Sequence, residues 1–516
     1  MPVEGPKSAH LPTPATSVSR SFAGHHDRQS RSTWNQTWRS QPASTMHFQR
    51  PPNDVYSLKL RICFCLFWAK SLLAATLFLS CMFFYSWKVY SLHIAAIRPS
   101  PPQPETNITI VDPKTGHVRQ SCFFNASAGF ARVQPQIKHS MVIGFSLDWS
   151  YETPTALRNK LDGHSPLIFN AFMGFDANIT EPYDRNMLNW YGSEVGRVQG
   201  ILEVTMMPMA QSSSLYTDSM YDQLGKDLAS INSKYKTPVL LRFGHEMNGD
   251  WTVYGNKPTD FIKSFRRMAK YVRKYTNMTA MVWGPNIGIT YPFNGGGMSE
   301  SPTSGPDFLL LDTNHDGKIN SLDDPYTPFY PGDDVVDWVA LSLYYYPFDD
   351  CRNCPVPNTY FVDYLTGSGP TTTQVLDPQL VTDMHVYQRV HDFYHMFCTP
   401  QTHNKPMLLP ETGSPFIPQY VNGSDPSQWS ESQIKMGWWN QVLNATILDQ
   451  FPNLIAAVNF EEAKELGGVL RDWRLTNTSA PLKATQNLLS NFGSNLHQST
   501  DFEYGCDGSV KLKSPS

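Results

Sequence analysis

Apolar and polar positions fall into a regular alternation over the C-terminal three quarters of the chain. Eight short apolar runs recur, at Met141–Trp149, Leu167–Phe175, Ile201–Met209, Val239–Gly244, Ala280–Pro285, Val336–Tyr346, Pro406–Leu409 and Leu454–Phe460. Turn residues bound each run, and a stretch with helical period follows. The clearest helical stretches are Ser219–Tyr235, Pro258–Tyr275, Leu380–Phe397, Glu431–Phe451 and Ala480–Phe492. Near-continuous apolar strands that alternate with helices predict parallel strands buried on both faces. Eight such units in succession predict a closed (β/α)8 barrel, a TIM barrel, over about residues 139–495.

A different pattern precedes the barrel. Residues 1–61 are rich in Ser, Pro, Gln, Arg and His and lack an apolar period, which predicts a disordered basic tail. Ile62–Trp87 is apolar except for Lys70, which predicts one transmembrane signal anchor with Lys70 snorkelling. The tail is too long for a cleaved signal peptide. Residues 88–138, with Pro99, Pro101, Pro102 and Pro104, read as an extended stem, and residues 496–516 as a C-terminal tail.

Charge gives this segment an orientation. The chain carries −4 in total, but residues 1–61 carry +5 and the remainder −9. Positive charge before the span predicts a single-pass type II membrane protein, tail in the cytosol and barrel lumenal or extracellular. Seven sequons, at Asn107, Asn125, Asn178, Asn277, Asn422, Asn444 and Asn477, follow the span, against one at Asn35 before it, a balance expected of an exported glycoprotein. Beyond the span lie Cys122, Cys351, Cys354, Cys398 and Cys506, enough for two disulfides and one free thiol. The lone Cys351–Cys354 motif fits a local disulfide better than zinc. A mean hydropathy of −0.36 excludes a polytopic membrane protein. The slight net acidity excludes a nucleic-acid footprint. Charged residues are only 17% of the 516, whereas aromatics reach 13%, a balance suited to neutral ligands.

A barrel places its chemistry where strands run into loops at the C-terminal face. The fourth run ends in Arg242-Phe243-Gly244-His245-Glu246-Met247-Asn248-Gly249-Asp250-Trp251, and the seventh in Pro410-Glu411-Thr412-Gly413. The fifth ends in Trp283-Gly284-Pro285-Asn286 and the sixth in Tyr344-Tyr345-Tyr346-Pro347. Two glutamates on facing strand ends, ringed by Trp and Tyr, suit cleavage of a glycosidic bond. One carboxyl protonates the leaving oxygen and the other meets the oxocarbenium-like centre. A separation of about 5–5.5 Å makes the second a nucleophile and the outcome retention. A zinc-protease HExxH reading fails, because Gly249 stands where its second His belongs.

HEMNGDW at 245–251, Arg242 upstream, the Ser-Leu-Tyr end of the sixth run and Glu411 together resemble glycoside hydrolase family 26. The resemblance covers about residues 139–495. It implies Glu246 as general acid/base and Glu411 as nucleophile. It also implies His245 in the sugar subsite, Tyr344 orienting Glu411, and Trp251 stacking on a sugar; Trp283 is a further candidate for substrate binding. The substrate implied is a β-linked polysaccharide, β-1,4-mannan first, with β-1,3-1,4-glucan and β-1,3-xylan as alternatives. The family's aromatic run after HEMNG is here Trp251-Thr252-Val253-Tyr254-Gly255, one tryptophan poorer. Another class stays open: a catalytically silent carbohydrate-binding or wall-organising protein on the same fold.

About residues 290–334 form an insertion between the fifth and sixth runs, too long for an ordinary loop. Within it, Asp312, Asn314, Asp316, Lys318 (through its carbonyl) and Asp323 match ligand positions of a calcium loop, with Gly317 at the sharp turn and Ile319 as the apolar anchor. The expectation is no cofactor for catalysis and one structural Ca2+ that pins the insertion beside the mouth.

Overall fold

The computed structural model describes residues 132–289, 291–293, 297–345, 353–367, 391–418, 429–466 and 468–514. The predicted tail and anchor, and all but the end of the stem, lie outside the described residues. No described helix is long and apolar enough to cross a membrane.

Nine strands make the barrel: β1 Met141–Leu147, β2 Ile168–Phe175, β3 Ile201–Pro208, β4 Val239–Phe243, β5 Thr279–Trp283, β6 Trp338–Ala340, β7 Leu343–Tyr344, β8 Met407–Gly413 and β9 Leu454–Glu461. The short β6 and β7 share the sixth position, since both pair with β8. Every neighbouring pair is parallel, and β9 pairs with both β8 and β1, which closes the ring. The eight-position (β/α)8 barrel expected from the apolar runs is therefore present.

Strand residues alternate between two apolar environments. Val142, Ile168, Ile201, Leu240, Ala280, Val282, Trp338, Ala340, Leu408 and Ala456 share the inner cluster. Their chain neighbours, such as Ile143, Phe169, Leu202, Leu241, Met281, Val339, Met407 and Ala457, pack outward against the helices. This two-residue period fixes which strand side chains point into the barrel.

The helices differ from expectation at three places. Pro258–Val272 starts with Pro in its first turn and ends before Tyr275. The stretch Glu431–Phe451 splits into Glu431–Val442 and Ala445–Gln450, because the Asn444 side chain accepts from the Thr446 amide and starts a new helix. Of the predicted Leu380–Phe397, only Phe393–Phe397 is a described helix; Asp392 caps it through the His395 amide, and 380–390 lie outside the described residues.

Residues 496–514 are not a loose tail. Leu496–His497 pairs with β1, and Phe502–Tyr504 forms an antiparallel hairpin with Val510–Leu512. Phe502 and Val510 are buried with Val133 in the inner cluster, at the end of the barrel where the strands begin. An open apolar floor is covered in this way. Cys354 and Cys506 each take part in a disulfide, Cys351 of the expected local pair lies outside the described residues, and Cys398 is a buried free thiol.

Candidate active site

Above the apolar floor, the inward positions turn polar. Ser146, Asn170, Glu203, Thr205 and Arg242 are all fully buried. Ser146 donates to Asn170 (3.3 Å), and Asn170 donates to Thr205 (2.8 Å). Arg242 points inward because it stands two residues after the inward Leu240 on β4.

Arg242 organises the nucleophile candidate. Its Nη1 donates to Glu411 Oε1 at 2.5 Å and its Nη2 to Ser342 Oγ at 2.6 Å. Ser342 donates to the same Glu411 oxygen (3.3 Å), and the Tyr344 hydroxyl donates to the other (2.9 Å). Strict alternation on β8 would turn Glu411 outward, like Leu409. The register with β9 shifts between Leu409 and Thr412, where Pro410 supplies no ladder donor, and Glu411 turns inward.

Glu246 reaches the same mouth by another route. Gly244 (φ +62°) bends the chain sharply after β4, and Glu246 itself sits at φ +51°. A Cβ at position 244 would also come within 2.9 Å of Phe261. A non-glycine residue in this region costs about 1–3 kcal/mol and persists only where its surroundings hold it. Here they do: the Glu246 amide donates to the Gly284 carbonyl (2.9 Å), and Asn248 locks to Asn286 through two hydrogen bonds (2.8 and 2.9 Å). The Glu246 carboxyl then accepts from Asn286 Nδ2 (2.9 Å) and Trp251 Nε1 (2.7 Å).

The two glutamates are buried alike, 9% and 7% exposed, and are pushed in opposite directions. For Glu246, burial is the largest influence, the Glu411 charge adds to it, and the carboxyl is held above its usual range. For Glu411, burial also favours the neutral form. The Arg242 charge and hydrogen bond, with the Tyr344 hydrogen bond, outweigh it and hold the carboxyl well below its usual range. One site thus pushes one glutamate toward its neutral form and the other toward its carboxylate, the division that general-acid and nucleophile roles require.

His245 is buried and its pKa is lowered to about 3 by burial and the Arg242 charge, so it is neutral. The Tyr254 hydroxyl lies 2.8 Å from the His245 carbonyl and 3.0 Å from Nδ1. If its one proton goes to the carbonyl, Nδ1 carries the ring hydrogen and Nε2 is left as an acceptor. Trp251 is 36% exposed, with its ring edge-on to Phe293 at 5.0 Å. The insertion reaches the mouth at this point: the Ser299 amide donates to the Asp250 carbonyl (3.0 Å), and the Gly297 amide to its carboxylate (3.2 Å).

Trp283 is a correction. It follows the inward Val282 and so points outward. It is fully buried between Phe393, Phe397 and Tyr330, where no substrate reaches it. An aromatic wall lies elsewhere, at the ends of β1 and β2. Trp149, Phe172, Trp190 and Tyr191 line a cavity of about 390 Å3 together with Asp148 and Glu462, and Phe172 touches the His245 ring edge-on at 5.6 Å. Sequence reasoning missed Trp190 and Tyr191, which ride on helix Arg185–Arg197, and gave no role to Asn286, although it stands at the end of the fifth run.

In the insertion, Gly317 makes the expected sharp turn at φ +84°. Asp312 accepts from the Asp316 and Gly317 amides (both 3.0 Å). Asp316 accepts from the Lys318 amide (2.9 Å), and Asp323 from the Asn314 and Asn320 amides (3.1 and 2.8 Å). The donor types suit a hard cation. Among the described residues, however, no group of three or more His, Cys, Asp or Glu side chains is arranged to hold a metal.

The barrel and its oppositely poised strand-end glutamates have the arrangement of a glycosidase site. The family resemblance carried by HEMNGDW recurs in an independent comparison. Residues 203–288 match the model of Glycosyl hydrolase family 26. A β-1,3-xylanase from Alcaligenes sp is 30% identical over 115 residues, 22% of this chain and 18% of that protein. The β-1,3-xylanase TXYA from Vibrio sp is 29% identical over 121 residues, 23% of this chain and 19% of that protein. The chain thus spans about a fifth of the length of these relatives. Among solved structures, a family 26 β-mannanase from Bacteroides ovatus aligns with TM-score 0.40 and 13% identity, covering 70% of this chain and 91% of that one. An endo-β-1,4-mannanase double mutant from Cellulomonas fimi aligns with TM-score 0.43 and 16% identity, covering 77% and 81%.

Proposed function

We propose that this chain is a retaining, endo-acting glycosidase of a β-linked polysaccharide. The observation that carries the reading is the opposite poise of two buried glutamates: Glu411, paired with Arg242, is pushed toward carboxylate, and Glu246, which accepts from Trp251 and Asn286, is pushed toward its neutral form by burial and the Glu411 charge. In the proposed double displacement, Glu246 gives its proton to the leaving glycosidic oxygen while Glu411 forms the glycosyl ester. Glu246 then deprotonates the water that breaks the ester. Tyr344 and Arg242 hold Glu411 in line, His245 lies in the sugar subsite beside Glu246, and Trp251 offers its half-exposed ring to a sugar face.

β-1,4-mannan is the backbone that the family resemblance puts first. The two relatives matched in sequence are β-1,3-xylanases, and they favour β-1,3-xylan as a second reading. Incubation with mannan, β-1,3-xylan and lichenan, with chromatography of the products, is expected to give short oligosaccharides from one of the three. Binding to a polysaccharide without release of new reducing ends would instead select the silent binding protein.

The type II anchor at Ile62–Trp87 and the exported barrel remain part of the proposal, supported by the charge division and the sequons. So does a calcium ion at Asp312, Asn314, Asp316, the Lys318 carbonyl and Asp323. Adding EGTA is expected to lower the melting temperature by several degrees, and adding calcium back to restore it. An unchanged melt counts against calcium.

A further inference from the structure

Glu203 has no part in the mechanism above, yet it lies directly below it. It stands on β3 two residues after the inward Ile201 and two before the inward Thr205, so its side chain enters the barrel. It is fully buried, and neither carboxyl oxygen has a well-formed hydrogen bond. Across the sheet, Glu203 is level with Asn170 on β2 and Leu240 on β4, while Arg242 is level with Thr205. Glu203 and Arg242 are therefore diagonal neighbours on one face. Asn170 Nδ2 gives one hydrogen to Thr205 (2.8 Å), and Arg242 gives Nη1 to Glu411 and Nη2 to Ser342, while its buried Nε finds no hydrogen-bond partner.

The charged and titratable groups that act on this carboxyl are Arg242 from β4 and Glu411 from β8; Asn170 on β2 is neutral. A third carboxyl in reach of a single buried guanidinium poses a problem of allocation. Were Glu203 ionised, it would compete with Glu411 for Arg242, and an unpaired buried carboxylate is strongly disfavoured.

We propose that Glu203 is a positioning residue that stays protonated during turnover and so leaves the whole Arg242 charge to Glu411. The inference rests on the glycosidase reading for its effect on catalysis, but not for its effect on the fold. Burial is the main influence on Glu203 and lifts it to about 8, against the weaker pull of the Arg242 charge and of the nearby Asn170 amide. Its ionisation at alkaline pH divides the Arg242 field, weakens the hold on Glu411 and adds a negative charge near Glu246. The alkaline side of the activity profile then has a contribution from a group that never touches substrate.

The test is Glu203→Gln, which keeps the shape and removes the titration. Its kcat/KM is expected to match wild type within about twofold on the acid side, and its alkaline limb to extend at least half a pH unit higher. A second measurement needs no activity. A carboxyl raised in the folded state contributes stability that is complete below its unfolded pKa and is lost as pH climbs through the folded one. The melting temperature of Glu203→Gln minus that of wild type is thus expected to grow between about pH 5 and 9. Superimposable activity profiles together with a pH-independent melting difference overturn the proposal. So does a loss of more than tenfold at all pH values with melting preserved, because a charged Glu203 would then be required. Growth of the melting difference in a protein that cleaves no polysaccharide upholds the protonated Glu203 and refutes only the glycosidase reading.

Discussion

Glu411→Gln is expected to lower polysaccharide cleavage by at least about a thousandfold, with the barrel still folded. In the proposed double displacement the glycosyl ester forms on this carboxylate, and nothing else among the described site residues can replace it as a nucleophile. Loss of a nucleophile from a preorganised site typically costs several orders of magnitude. The substitution to glutamine matters. Arg242 is fully buried and gives Nη1 to Glu411 at 2.5 Å, so alanine would strand a buried cation and cost about 3–5 kcal/mol of stability. Glutamine keeps an oxygen facing the guanidinium. Reducing-end release, measured beside a thermal melt, separates chemistry from folding. Activity within tenfold of wild type in a folded Glu411→Gln protein would sink the two-glutamate mechanism.

Glu246→Gln is expected to cost about 10^2–10^4-fold on polysaccharide, the range of a lost general acid/base. Its signature is the dependence on leaving group. An aryl glycoside with a good leaving group needs no proton in the first step, so formation of the glycosyl ester should stay fast and its hydrolysis become slow. A burst of released phenol followed by a slow steady state is the expected trace. The pH profile adds a second sign. Burial and the Glu411 charge hold Glu246 above its usual range, so wild-type activity falls as pH rises through that elevated value. Glutamine cannot titrate, and the part of the alkaline limb due to Glu246 should disappear. Equal losses on polysaccharide and on activated aryl glycoside, with no burst, would remove Glu246 from the acid role.

The eight strands were legible because a parallel strand buried on both faces leaves an unmistakable apolar run bounded by turn residues. Their ends then located Glu246, Glu411 and Tyr344. Alternation could also have placed Arg242, Ser342 and Glu203 inside the barrel, since each keeps step with an inward apolar residue on its strand. The same rule shows why Trp283 was misplaced: being aromatic at a strand end is insufficient when its parity faces the helices. Glu411 is the reverse case. Strict parity counts against it, and only the slip in register at Pro410 turns it inward. Such a slip depends on the partner strand, which local sequence does not reveal. Trp190 and Tyr191 were hidden for a related reason. They sit on a helix whose period looks like ordinary core packing, and only the tertiary fold brings them beside Trp149.

The hairpin beneath the barrel bears on how the chain must be made. β1 finds its partner β9 some three hundred residues later, and Phe502 and Val510 cover the floor later still. A nascent chain that has reached only β8 holds a curled open sheet with two unpaired edges and a bare apolar base. Ring closure therefore waits until almost the whole barrel has been synthesised. In the interval the edges of β1 and β8 invite pairing with other chains. Quality control during biosynthesis has more to guard here than the mature molecule, with its sealed ring and covered floor, would suggest.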